Sequence, residues 1–297
     1  MSAGGSARVA FIVAVIGIAN YTAMDAVMKG LSIASGAYSA VMWRSIAGVL
    51  IVGSVFVARR RPWPALPAVR LHVVRATIAG SSVLLFFWGL ARVPMAKGVV
   101  LTFLAPVIAI FLAAALLGER VRRRALIGAG IAAIGVLVIA AGEVHRDAST
   151  DSVLGNIAII VASLLYAGNL VLLRRQAQSA DPLEVTLFTS LVIAALLLIG
   201  APWLSGWPDW PQVPAIGFAA MLGTISSLLM AWAYARAETQ LLATVEYSAF
   251  VWAGVLGYLV FGEVVTIFTV AGAALIVAGC LVAVRKPAAI PQTEAAL

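Results

Sequence analysis

Polar positions are scarce in this chain, and they recur at intervals that leave long apolar runs between them. Ten such runs occupy residues 9–31, 36–57, 73–91, 97–117, 125–142, 153–173, 185–203, 215–235, 240–261 and 264–284. Each is close to the ~20 residues that an α-helix needs to cross the hydrocarbon core of a bilayer. The gaps are short, so most consecutive runs are predicted to be antiparallel neighbours. The pattern predicts an all-α integral membrane protein with ten transmembrane helices.

The polar positions carry a second pattern. Fifteen of the 20 basic residues fall on one side if the runs alternate across a membrane, among them Arg59, Arg60, Arg61, Arg70, Arg75, Arg120, Arg122, Arg123, Arg124, Arg174 and Arg175. The other side holds Lys29, Arg92, Lys97 and Arg146, and Arg44 lies within a run. Basic residues are retained on the cytoplasmic side, so both termini are expected to be cytoplasmic. The loop LSGWPDWPQVP at 204–214 suits the outer interface, where Trp207 and Trp210 resemble an aromatic belt.

Composition narrows the class further. Of 297 residues, 63% are hydrophobic and 11% charged, against about 25% charged in a soluble domain. Mean hydropathy is +1.07. The net charge of +8 lies in gaps between apolar runs rather than on one polar face, which argues against a nucleic-acid partner. The lone Cys280 excludes an intramolecular disulfide. The first run is too long, and with Asn20, Asp25 and Lys29 too polar, for a cleavable leader. Scarce lysine beside abundant Ala and Gly points to a GC-rich bacterial source, hence a bacterial inner membrane.

The chain also repeats itself. An ungapped shift of 144 residues places Trp88 on Trp232, Arg92 on Arg236, and Gly118-Glu119 on Gly262-Glu263. It also places Gly128 on Gly272, Gly135 on Gly279, and Asp25 on Asn169. Each copy holds five runs, an odd number, so the second copy must enter the membrane from the opposite side. Inverted repeats of this kind build secondary transporters with a substrate site near the midplane. The expected units are residues 8–143, residues 152–285 and a short cytoplasmic tail at 286–297.

The run LTFLAPVIAIFLAAALLGERVRRRALIGAGIAAIGVLVIA closely resembles the end of an EamA domain, with a proline in the fourth helix, then Gly-Glu, then a glycine-rich fifth helix. The arginine of VMWRSIAG matches the one typical of the second helix, and Phe250 stands where the second copy's proline would be. The resemblance spans residues 8–285 and implies the drug/metabolite transporter superfamily. The whole chain is most similar to the YddG-type amino-acid exporters. It implies two five-helix repeats around a central cavity lined by runs 1, 3, 4, 6, 8 and 9, and export of amino acids, aromatic ones included. A multidrug or other small-metabolite carrier of the same fold is the alternative.

Few polar residues lie inside the runs, and these are candidates by default. Glu246 has only Leu242, Ala243, Ala249 and Phe250 at i±3 and i±4. It is expected to bind a substrate amine or a proton, or to bond a neighbouring helix. Asp25 has Lys29 at i+4 and Arg44 on the next run, so an ion pair is expected there, or an outer gate or substrate site. Pro106 is expected to kink the fourth run, as a hinge or as a static bend. Candidate cavity residues are Ser82, Phe86, Trp88, Thr102, Tyr166, Asn169, Ser226, Met230, Tyr234, Tyr247 and Phe250, whose aromatic and hydroxyl surfaces suit a ligand with an apolar body and a polar end. Plain helix packing is the competing role for each. Catalytic, nucleotide and metal motifs are absent, so the expectation is a transporter that is not an enzyme, needs no cofactor and takes small molecules. Monomer and homodimer both stay open.

Overall fold

The structure, a computed structural model, describes residues 3–284 apart from 62, 118–122, 145–148, 177–180 and 235–244. Every regular element among them is a helix. They are α1 (Ala3–Ser35), α2 (Ala37–Ala58), α3 (Leu66–Leu90), α4 (Met95–Thr102), α5 (Leu104–Leu117), α6 (Arg123–Val144), α7 (Thr150–Gln176), α8 (Pro182–Leu204), α9 (Gln212–Tyr234), α10 (Ala249–Phe261) and α11 (Ile267–Val284). By length and composition, eight segments of this set can cross a membrane, with α4 and α5 counted as one segment. The helices α10 and α11 are apolar but shorter. Glu119 of the first Gly-Glu hinge, the side chain of Tyr234 and the tail at 286–297 lie outside the described residues.

Local chemistry sets the helix boundaries. A single residue, Gly36, separates α1 from α2, and its φ of 82° is accessible to glycine at little cost. At the start of α8, Asp181 accepts a bond of 2.9 Å from Leu183 N–H while Pro182 fills the first turn, where no donor is needed. The helix α10 stops at Gly262, whose φ of 68° turns the chain away.

The predicted fourth helix is broken at Phe103. Pro106 offers no N–H to the carbonyl of Thr102, and Phe103 N–H instead reaches Val100 O at 3.0 Å. The ninth run breaks too, which its sequence does not announce. Residues 245–246 are helical and 247–248 form a turn. There Ser248 N–H bonds Val245 O at 2.9 Å, and Phe250 N–H bonds Tyr247 O at 3.2 Å. The two breaks, at Phe103 and Tyr247, stand 144 residues apart, which is the repeat interval. The rings of these residues meet edge to face at 5.2 Å.

Glycine determines the closest helix contacts. A Cβ on Gly135 would lie 2.7 Å from Gly272 O, one on Gly272 2.6 Å from Gly135 O, and one on Gly279 2.5 Å from Gly128 O. So α6 and α11 touch backbone to backbone, as small residues permit in a membrane. The two contacts exchange under the 144-residue shift. So do the pairings of α1 with α9 and of α3 with α7. The perimeter is apolar, as a bilayer requires: Leu50, Val57, Ile199 and Trp203 are exposed. Trp207 and Trp210 project from the α8–α9 connection, and Trp207 lies 5.5 Å from the ring of Trp43.

Candidate functional site

The sequence groups Asp25, Lys29 and Arg44 together, and the structure divides them. Lys29 does not pair with Asp25 one turn away. Its chain is long enough to reach past α1, and it donates to Val93 O at 2.7 Å and to a carboxylate oxygen of Glu263. The other Glu263 oxygen accepts Met95 N–H at 2.6 Å, the first free donor of α4. Three segments therefore close on one buried lysine: α1, the α3–α4 turn and the α10–α11 turn. Gly257 leaves room for it, since a Cβ there would be 2.8 Å from Glu263 Oε2. Glu263 is thus a capping residue that also clasps this end of the bundle.

Asp25 and Arg44 remain deeper in the bundle. Each feels the other's charge, but no ion-pair contact joins them among the described residues. Arg44 rests Nη1 on Met24 Sδ at 3.4 Å, and its Nε is buried without an acceptor. Tyr21 precedes Asp25 by one turn on α1. Its hydroxyl meets Ser227 Oγ at 2.7 Å. The Ser227 proton is committed to Gly223 O at 2.9 Å, so Tyr21 donates. Tyr21 also lies within electrostatic reach of Arg44, Asp25 and Glu246.

Glu246 approaches from the broken ninth run, and its charge reaches Tyr21, Tyr166 and Tyr247. Tyr166 keeps 44% of its surface accessible yet interacts with Glu246 and Tyr21 across the bundle. Glu246, Tyr247, Tyr166, Tyr21, Asp25 and Arg44 form one polar centre, contributed by α1, α2, α7 and the turn before α10.

Other candidates lie elsewhere. Ser82 is buried and donates to Ala162 O at 2.8 Å, tying α3 to α7. Asn169 is buried and its side-chain oxygen is held by Arg75 Nη1 at 3.1 Å. Thr102 turns back on Val99 O at 2.6 Å. Trp88 lies under the Arg92 guanidinium, 3.6 Å from its centroid. Phe86 meets Phe87 edge to face at 5.0 Å, and Phe250 packs against the core. Met230 sits over Gly17, 3.1 Å from where a Cβ would be. Ser226 is fully buried with no partner for Oγ among the described residues.

Two structural nodes escape the sequence pattern. Arg75, a basic flank in that pattern, is 4% exposed, bonded to Asn169, Thr189 and Val185 O. His72, at the edge of a run in sequence, is fully buried, stacked on Phe188 and bonded to Glu184 at 2.7 Å. Arg75 lies inside the predicted third run, and that position was the available signal. These bonds tie α3, α7 and α8 at the end of the bundle opposite Lys29. Separately, a groove of about 410 Å³ opens between α9 and α10 along α1, lined by Ala23, Val27, Gly30, Phe218 and Leu256. It is apolar and holds none of the charged groups.

Comparison with known proteins gives the family of the chain. The EamA-like transporter family matches residues 8–141 and 153–285. The pseudopaline exporter CntI of Pseudomonas aeruginosa (strain UCBPP-PA14) is 25% identical over 277 residues, 91% of this chain and 94% of that protein. A protein named "Probable terminal-alkyne amino-acid exporter" from Streptantibioticus cattleyicolor is 27% identical over 264 residues, 87% of this chain and 86% of its own. A solved crystal structure shares the fold at a TM-score of 0.60 and 21% identity, covering 94% of this chain and 96% of that one. These named relatives are exporters, not enzymes. The chain is a multi-pass membrane protein that belongs to the EamA-like transporter family.

Proposed function

We propose that the protein is a secondary, non-ATP exporter of amino acids and related metabolites, aromatic ones included, in a bacterial inner membrane. Ten spans form two five-helix repeats of opposite orientation, 8–143 and 152–285, with both termini cytoplasmic. The repeats rock about a midplane cavity, so that the site opens to one side at a time. The observation that carries this reading is the polar centre of Asp25, Arg44 and Glu246 among three tyrosines, inside the helix bundle. Charges in such a place are costly, and they mark solute or proton pathways. A relative named for an amino acid is consistent with it.

Glu246 serves as polar anchor or proton site, and Tyr21, Tyr166 and Tyr247 hold the apolar part of the solute. Pro106, with the break at Phe103, supplies a hinge. Purified protein in liposomes is expected to show saturable flux of Phe, Trp or Thr. Absence of flux for every amino acid tried would remove the amino-acid class.

The pseudopaline exporter among the relatives favours a second reading, a carrier for another small metabolite or for cationic drugs on the same helices. A cationic solute leans on Glu246. Drug resistance that survives Glu246→Gln unchanged would rule the drug form out.

A further inference from the structure

We infer that Arg44 and Asp25 form a head-group subsite that reads a zwitterion, the carboxylate of an α-amino acid on Arg44 and its ammonium on Asp25. The inference rests on the amino-acid exporter reading and assigns its substrate atoms.

Arg44 is an arginine in search of an anion. A guanidinium carries five N–H donors in a planar fork and cannot lose its charge. Here Nε is buried without an acceptor, and Nη1 leans on a thioether, a weak one. A cation this deep is held at high cost unless an anion meets it. Asp25, the carboxylate whose charge reaches it, interacts through space and makes no ion-pair contact with it among the described residues. Lys29 cannot compete for an incoming carboxylate, because Glu263 and Val93 O engage it.

Arg44 therefore offers a positive wall and Asp25, beside Met24 on α1, a negative one. A planar carboxylate suits the fork of the first, and an ammonium suits the second. Met24, one residue before Asp25, steers the fork, and Gly223 makes room for both: a Cβ there would be 3.0 Å from Met24 Sδ and 3.7 Å from Arg44 Nη1. Empty, the two walls offset one another. Loaded, the zwitterion's own charges offset them. The subsite is neutral in both states, so the bundle can change shape loaded or empty without exposing a net charge to lipid.

The test uses the full chain, purified and checked for a single folded species by gel filtration. Binding of L-phenylalanine, phenethylamine (no carboxylate), hydrocinnamate (no amine) and L-phenylalaninamide is measured by ligand-dependent thermal shift, and L-phenylalanine flux in liposomes. The parent protein is expected to prefer L-phenylalanine over all three analogues. Arg44→Gln is expected to weaken L-phenylalanine about 10–100-fold, the worth of a charged hydrogen-bonded pair, while leaving phenethylamine as before. Asp25→Asn is expected to spare hydrocinnamate instead, and Arg44→Lys to recover part of the loss. Equal loss of all four ligands in Arg44→Gln, or no loss, overturns the subsite. So does a parent protein that takes phenethylamine as well as L-phenylalanine. If Arg44→Gln does not fold, the parent's analogue series and Arg44→Lys decide between these outcomes. A parent protein that binds and moves none of the four defeats the amino-acid reading itself, and the subsite with it.

Discussion

Phe103 and Tyr247 stand edge to face, 5.2 Å between ring centroids, and they occupy the same position in the two halves of the chain. Each marks the point where a helix loses its regular ladder. The two irregularities thus meet instead of lying apart. Phe103 O also accepts from the Cys280 thiol at 3.1 Å, so part of the broken backbone is satisfied by a neighbouring helix.

Pro106→Ala tests whether the first break matters to transport. Alanine restores the N–H that Thr102 O lacks, so α4 and α5 gain a continuous ladder. The variant is expected to be as thermally stable as the parent or more so, with slower flux in liposomes. Unchanged flux at unchanged expression would show the bend to be static.

Lys29→Met tests the clasp. The substitution leaves Glu263 without its ammonium in a poorly hydrated place, and breaking a buried pair costs about 3–5 kcal/mol. A lower melting temperature in detergent is expected. The double variant Lys29→Met/Glu263→Gln is expected to recover part of it, since no unpaired charge remains. A cysteine placed at position 93 in a Cys280→Ser background is expected to label faster when Lys29 is replaced.

Gly272→Val tests the seam between α6 and α11. A Cβ there would lie 2.4 Å from Ile139 Cγ1 and 2.6 Å from Gly135 O. Overpacking of this kind costs about 1–3 kcal/mol, and here it presses on backbone, which cannot rotate away. Thermal unfolding is expected to fall. A similar change at Gly30, where a Cβ would meet nothing within 4 Å, is expected to be nearly silent.

Arg75→Ala tests the opposite end. It removes the donor to Asn169, which is buried, and to Thr189, which is half-buried. Stranded polar groups cost about 1–3 kcal/mol each. The variant is expected to lose more stability than Arg70→Ala, which removes a basic residue five positions earlier without a comparable network. Equal melting temperatures for the two would deny Arg75 its tie between α3, α7 and α8.

The all-helical membrane class, the repeat and the Pro106 bend were legible because each is written in local terms: run length, an ungapped shift, a missing donor. The break at Tyr247 was not, because Phe250 keeps its N–H and nothing nearby forbids a regular helix. Side-chain pairing was the least legible. Spacing favoured Asp25 with Lys29, yet a lysine stem spans more than one helical turn and found Glu263, 234 positions away. Arg75 looked like a topology marker because charge is usually kept at the membrane surface. Its burial depends on Asn169 and Thr189, acceptors that only the folded chain brings near. Glu246 stood out in sequence because its helix supplies no counter-charge, while Tyr21, one turn before Asp25, did not stand out at all.

The clasp at Lys29 bears on how such a chain came to have two unlike ends. The first half carries Lys29 and Glu119, the second Leu173 and Glu263. Two copies of the first half, assembled head to tail, would hold a lysine opposite a glutamate at both ends. Two copies of the second would hold one at neither. In sequence the lysine stands in one copy only, so the halves are no longer interchangeable. In the rocking cycle proposed above, parting one end separates Lys29 from Glu263, and parting the other releases Arg75 from Asn169 and Thr189 and Arg61 from Asp181. A fused chain can tune these two barriers separately, which a symmetric pair of identical halves cannot do.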